Sequence, residues 1–255
     1  MSRNLLAINV GNTRTQVGAF VDGRLTEQRR CANLDPQEIG QAIAELHDSI
    51  RGPDSAIYLA SVNEEAAERA VGLVGQRLGV AVVRIERDVP APIGRQLDPE
   101  AIVGDDRLLN AAAAFDRLKQ ACVVVDTGTA VTVDFVDGSG TFHGGAILPG
   151  IRMQAAALHE RTAQLPLIEF QRPQEPIGHS TVEAIRAGLF HGVRGAVREL
   201  VERYAEAYGA YPRVIATGGD AEILFQGYDL IDAIVPELTL EGMAVAYRHA
   251  QEIEE

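Results

Sequence analysis

A duplicated segment constrains this chain more than any other feature. "LLAINVGNTRTQVGAFVDGRL" from Leu5 and "VVVDTGTAVTVDFVDGSGTF" from Val123 follow one plan. Each runs an apolar strand into Asn or Asp, any residue, Gly, a hydroxyl or amide side chain, and a second alternating strand with Thr. Each then reaches Phe-Val-Asp-Gly, at residues 20–23 and 135–138. Gly11 and Gly128 lie 117 positions apart, and Phe20 and Phe135 lie 115 apart. Repetition at that distance predicts two similar domains, each opening with a three-stranded meander. Asp-Gly is a strong hairpin signal. The Gly of each first turn lets the backbone approach a ligand closely.

Helical patterns follow each copy. Asp35-Pro36 opens "PQEIGQAIAELHDSI" as N-cap and first-turn proline. "EEAAERAVGLVGQRLG" follows the strand "AIYLASV" and stops at Gly79. "DDRLLNAAAAFDRLKQ" has helical spacing and links the halves. In the second half "IRMQAAALHERTAQL", the long segment at 180–209 and the terminal "TLEGMAVAYRHAQEIEE" read as helices. "PRVIAT" reads as a strand, and "GGDAEILFQ" as a loop entering a short helix. The Pro-rich segment 87–100 reads as irregular. The expected class is α/β, two domains at 1–115 and 116–255.

Composition narrows the function. With 255 residues and 46% apolar content, a sizeable core is available. A net charge of −13 argues against nucleic-acid partners, which are held mainly by Lys and Arg on phosphates. Two cysteines make no disulfide framework, and Cys122 at the head of "CVVVD" reads as a small core residue. No apolar run reaches the roughly 20 residues of a membrane span, and the N-terminal run is too short for a signal peptide. A cytoplasmic protein is expected.

In the first turn, Asn12 and Thr13 can aim donors at one point beside Gly11, making an anion-binding concavity. An ordinary hairpin turn would look the same. The matching "DTGTA" at 126–130 tips the balance toward a split phosphate clamp. Asp105 and Asp106 can complement a helix dipole or do acid–base work. Ser180 and Thr181 are good N-caps for the long helix. Thr132 and Asp134 alternate with apolar residues and read as a solvated strand face. His143, His159 and His191 lack metal-ligand spacing. No Gly-x-x-x-x-Gly-Lys-Ser/Thr loop and no Gly-x-Gly-x-x-Gly fingerprint occurs.

These motifs, in this order, resemble the type III pantothenate kinase family of the actin and sugar-kinase superfamily. The resemblance runs nearly end to end: "NVGNT" at 9–13, "GDDR" at 104–107, "DTGTAVTVD" at 126–134, "GGAILPG" at 144–150, "GHST" at 178–181, "TGGD" at 217–220 and "LTLEGM" at 238–243. It implies two RNase H-like domains with mixed five-stranded sheets flanked by helices, closing on an active-site cleft. It implies transfer of the γ-phosphoryl of ATP to pantothenate, the first step toward coenzyme A. It also implies Mg²⁺, a monovalent cation (K⁺ or NH₄⁺), a homodimer and no membrane partner. The Ala-rich stretch 155–166 is the expected dimer face.

Carried over by residue, the resemblance makes Asp106 the general base. It assigns Gly104, Asp105, Asp106, Arg107 and Thr181 to pantothenate, with Arg107 as its electrostatic partner. It assigns Asn9, Val10, Gly11, Asn12, Thr13, Arg14, Thr15, Gln16, Thr129, Gly218 and Gly219 to ATP, and Asp126 to the monovalent cation. The chain departs from the family in four places, one of them His179 where a Lys-like residue is usual. Asn9 stands where an Asp near Mg²⁺ is expected. Asp105 stands where a small residue is usual; helical geometry turns it about 100° from Asp106, so it is expected to point away. The segment before "GDDR" lacks an aromatic residue, leaving Arg95 or Gln96 to substitute. A catalytically weakened nucleotide-binding regulator is the alternative that Asn9 leaves open.

Overall fold

The computed structural model describes residues 4–50, 52 and 55–254. The first meander is β1 (Asn4–Val10), β2 (Arg14–Val21) and β3 (Arg24–Ala32), antiparallel throughout. Helix α1 (Pro36–Ser49) follows, with the Asp35 carboxylate accepting from Glu38 N–H. Then come β4 (Ser55–Ser61), α2 (Glu64–Leu78) and the short β5 (Val83–Arg84). Asn63 caps α2 by accepting from Ala66 N–H, and Gly79 ends it in the left-handed conformation with φ 67°. β4 lies parallel to β1, giving the order β3-β2-β1-β4-β5. A core of Leu6, Ile8, Val10, Val17, Ile43, Leu46, Leu59 and Val74 is closed to solvent beneath it. Burying each such side chain contributes roughly 1.5–3 kcal/mol.

The second sheet repeats this plan. After the two-residue β6 (Gly94–Arg95) and α3 (Asp105–Leu118), the meander returns as β7 (Cys122–Thr127), β8 (Ala130–Val136) and β9 (Thr141–Pro149). Helices α4 (Ile151–Glu160) and α5 (Thr181–Tyr208) precede β10 (Arg213–Thr217), α6 (Ala221–Phe225) and β11 (Ala233–Ile234). The order is β11-β10-β7-β8-β9-β6, with β10 parallel to β7. Val123, Val125, Val131 and Val133 pack there with Phe190, Val193, Val197 and Val201 of α5.

Several expectations need amending. The second sheet has six strands rather than five, because β6 joins it from the segment read as irregular. The compact units are not a contiguous pair split at 115/116. The first comprises residues up to 94, 98–117 and 237–255; the second comprises 95–97 and 118–236. The terminal helix α7 (Leu238–Glu254) therefore belongs to the first unit. Leu240 fills the space left by Gly18, and Gly242 passes so close to the Leu109 carbonyl that a Cβ would lie 2.2 Å from it. Tyr247 meets Tyr58 edge-on at 5.3 Å. The reading of Asp134 as solvated also fails, since it is only 2% exposed. Its neighbour Gly145 has no side chain, and β9 covers it there.

Candidate functional site

In the first unit the candidate residues gather at the C-terminal ends of β1 and β4. The turn after β1 closes with Gly11 N–H donating to the Arg14 carbonyl at 2.9 Å. Asn12, Thr13 and Arg14 are exposed, whereas Val10 and Thr15 are buried. Strand alternation turns Thr15 inward, where its hydroxyl donates to Asn33 Oδ1 at 2.8 Å. Thr15 is thus a brace for the turn rather than a side chain offered to a nucleotide. Asn33 completes the brace by donating from Nδ2 to the Gly11 carbonyl at 2.8 Å. Asn9, half-buried, donates from Nδ2 to Gln16 Oε1 at 3.3 Å. Two amides therefore face each other at the end of β1.

Helix α3 starts beside this turn in hydrogen-bonding terms. The Val10 carbonyl lies 3.2 Å from both Val62 N–H and the Ser61 hydroxyl. The Ser61 N–H donates to Asp105 Oδ2, also at 3.2 Å. Asp105 thus turns away from its neighbour, as helical geometry demands. Asp106 Oδ1 instead accepts from Arg107 N–H at 2.8 Å, and Gly104 is so close that a Cβ there would lie 2.7 Å from that oxygen. Glycine at 104 lets the Asp106 carboxylate fold over the helix start. Burial raises the Asp105 carboxyl above the usual range. The Ser61 N–H opposes that rise, and the charges of Glu86 and Asp106 add to it. Arg107 is half-buried on the same turn.

In the second unit the matching turn is one residue shorter. Gly128 N–H donates to the Ala130 carbonyl at 3.0 Å. Asp126, half-buried at the end of β7, brings Oδ1 against the turn after β10; a Cβ on Gly218 would lie 2.5 Å from it. Gly218 has φ 95°, a conformation that glycine reaches without penalty. The Thr127 hydroxyl donates to the Thr217 carbonyl, and Asp220 N–H donates to the Thr127 carbonyl. Gly150 N–H donates to the Thr129 carbonyl at 3.1 Å. Asp126, Thr129, Gly218 and Gly219 are thereby brought to one end of the sheet.

Thr181 begins α5 and is exposed. The N-cap is Ser180, whose hydroxyl accepts from Glu183 N–H, while Glu183 accepts in return from His179 N–H. Thr181 also borders a groove of about 850 Å³ between α4 and α5, walled by Met153, Leu158, Leu165, Ile185 and Leu189. Arg95 and Gln96, in and beside β6, are exposed and are grouped with the second unit. Among the described residues no three His, Cys, Asp or Glu side chains form a metal cage. A divalent ion that keeps its waters and is held mostly by substrate phosphates suits such a donor set. One carboxylate with nearby backbone carbonyls suits a larger monovalent ion.

Reading the sequence missed three bracing residues: Asn33, Ser61 and Glu86. Glu86 has φ 65° and accepts from Ala91 N–H at 2.7 Å. Only Ser61 had a visible signal, a polar residue closing an apolar strand just before the Asn63 cap.

The chain is similar to known proteins over nearly its whole length. The family model for type III pantothenate kinase matches residues 5–203. A type III pantothenate kinase from Rhodospirillum rubrum is 37% identical, covering 97% of this chain and 99% of its own. One from Dehalococcoides mccartyi is 33% identical over 98% of this chain and all of its own. Among solved structures, MreB 5 of Spiroplasma citri bound to AMPPNP superposes with a TM-score of 0.53 at 12% identity, covering 99% of this chain and 98% of that one. The fold is that of the actin-like ATPases, and the chain belongs to the type III pantothenate kinase family.

Proposed function

We infer that this kinase transfers the γ-phosphoryl of ATP to the primary hydroxyl of pantothenate, giving 4′-phosphopantothenate for coenzyme A synthesis. The observation that carries the reading is the start of α3, where Asp106 and Arg107 emerge beside the Val10–Gly11 turn through Ser61. Phosphoryl transfer depends mainly on positioning and charge neutralisation. Asp106 takes the proton of the attacking hydroxyl. Arg107 offers a planar fork of donors to the pantothenate carboxylate or the moving phosphoryl group. Asn12, Thr13 and Arg14 of one turn and Thr129 of the other present donors to ATP phosphates. Gly218 and Gly219 admit the nucleoside close to the backbone. Mg²⁺, when bound with ATP, neutralises phosphate charge. Asp126 supplies the carboxylate for K⁺ or NH₄⁺.

We also propose a homodimer that covers the apolar groove between α4 and α5, within the Ala-rich stretch 155–166 and its neighbours. Met153 there is 50% exposed, and Thr181 at the groove's border would meet pantothenate. A reduced, cytoplasmic setting fits the two free, buried cysteines. No helix among the described residues is long and apolar enough to cross a membrane.

The Asn9–Gln16 amide pair favours a second reading, a nucleotide-binding regulator with weakened turnover. Purified protein with ATP, Mg²⁺, K⁺ and pantothenate separates the two. Multiple turnovers to phosphopantothenate are expected. Asp106→Asn should cut kcat by roughly 10²–10⁴-fold while ATP still binds. Nucleotide binding without product would favour the regulator, and unchanged turnover in Asp106→Asn would remove Asp106 as the base.

A further inference from the structure

We propose that Asp105 is a positioning residue, a latch that ties the first turn of α3 to the end of β4 and so fixes Asp106 against the Val10–Gly11 turn. The inference rests on the reading of Asp106 as the base and adds a residue that acts through it.

The geometry is a short chain of hydrogen bonds inside one compact unit. The Val10 carbonyl, one residue before Gly11, faces the Ser61 hydroxyl and Val62 N–H, both at 3.2 Å. Ser61 N–H donates to Asp105 Oδ2 at 3.2 Å. Asn63 N–H donates to the Ser61 hydroxyl at 2.9 Å, and the Asn63 side chain caps α2. Residues 61–63 are thus a junction where β1, α2 and α3 are held in one register. Asp105 is the side chain through which α3 joins it.

The latch is held under opposing forces. Asp105 is half-buried, with Glu86 and Asp106 as acidic neighbours and Arg84 as the nearby cation. Arg84 is itself engaged with Glu64 and Glu68 on α2. A carboxylate placed among acids at a cost to its own ionisation needs a compensating purpose, and the Ser61 N–H is the contact it gains. A small residue at 105 would leave that N–H without this acceptor. Asp106, which accepts from its own helix start, cannot replace it.

Asp105→Ala and Asp105→Asn separate a latch from a charge. Asn keeps an acceptor oxygen for Ser61 N–H, and Ala does not. Misplacing a catalytic group by about 1 Å can cost on the order of 10²-fold in rate. Asp105→Ala should therefore lower kcat by roughly 10- to 100-fold, with the KM for ATP within about twofold of the parent. Asp105→Asn should recover most of the loss. Hydrogen exchange at the Ser61 amide should speed up in Asp105→Ala and stay near the parent rate in Asp105→Asn. Equal loss in both variants, or parent-like kcat in Asp105→Ala while Asp106→Asn is silent, would overturn the latch and leave the kinase reading standing. Full turnover in Asp106→Asn would instead overturn the base assignment, and the Ser61 exchange rates would still decide whether the latch exists.

Discussion

The two meanders share one plan and stabilise their first turns by different means. In the first, side-chain amides do the work: Asn33 holds the Gly11 carbonyl and the Thr15 hydroxyl, while Asn9 pairs with Gln16. In the second, the end of β7 does it through side chain and backbone together. The Thr127 hydroxyl and carbonyl engage residues 217–220, and Asp126 is pressed against Gly218. The 117-residue offset at Gly11 becomes 116 between Gln16 and Thr132, because the second turn is shorter by one residue; in strand register Phe20 then corresponds to Val136, one residue past the Phe of the repeated Phe-Val-Asp-Gly. The lesson is electrostatic. The first turn has the Asn9 amide at its strand end and relies on neighbouring elements, whereas the second has the Asp126 carboxylate and a tight glycine turn against it.

The largest test strikes the backbone brace. Gly218→Ala forces a Cβ to within 2.5 Å of Asp126 Oδ1 and 2.6 Å of the Thr127 backbone, at φ 95°. A loss of about 3 kcal/mol in unfolding free energy is expected, with weakened nucleotide binding. Gly11→Ala is the contrast. Its Cβ would meet only the Arg14 carbonyl at 3.2 Å, and about 1 kcal/mol is expected. Chemical denaturation of both variants reads the difference. Equal losses would mean that the two turns are braced alike.

The fold was legible because repeat, caps and breakers all pointed one way. Asp35, Ser180 and Gly79 mark helix ends in the sequence and do so in the molecule. Hidden from that reading was whatever depends on distant partners. The terminal helix returns to the first unit because Leu240 and Gly242 fit Gly18 and Leu109, a match no local pattern displays. Asp134 looked solvent-facing by alternation, yet β9 covers it through the side-chain-free Gly145. Of the candidate site, the two glycine turns were visible in the repeat, whereas Asp106 and Asp126 were singled out only through the family resemblance. Ser61 and Asn33 were not, since each acts through hydrogen bonds to residues distant in sequence.

The charge difference between the turns gives the next two effects. Asp126→Asn removes the second turn's carboxylate and should lower turnover by roughly 10²-fold, with K⁺ stimulation lost. Asn9→Asp runs the other way. The Gln16 side chain can rotate to present its NH₂ to the new carboxylate, so the fold is kept. An added charge near the Mg²⁺–nucleotide complex should raise kcat up to about tenfold and lower the Mg²⁺ requirement. Steady-state kinetics across Mg²⁺ and K⁺ concentrations measures both. A flat response to Asn9→Asp would mean that the first turn does not face the metal.

The smallest effect lies at the repeated Phe-Val-Asp-Gly, which folds in two ways. In the first copy Asp22 and Gly23 have φ 50° and 76°, forming a two-residue turn between the Val21–Arg24 pair. In the second copy Asp137 Oδ1 accepts from the N–H groups of Ser139 and Thr141 and from the Ser139 hydroxyl, and Oδ2 lies 2.8 Å from His143 Nε2. Burial pushes the Asp137 carboxyl up, but the hydrogen bonds from His143, Ser139 and Thr141 outweigh it and hold the carboxyl well below the usual range. A carboxyl depressed on folding stabilises the native state above its unfolded pKa of about 3.9, and the contribution fades as pH falls through the folded value. Asp137→Asn should therefore lower Tm by about 2–4 °C near neutral pH, a cost on the order of 1 kcal/mol for a partly exposed group. The gap from the parent should narrow below about pH 4. Asp22→Asn should leave Tm unchanged at either pH, because Asn tolerates the same positive φ. Thermal melts at pH 7 and pH 3.5 test both, and a pH-independent gap for Asp137→Asn would place its stabilising role in packing rather than in charge.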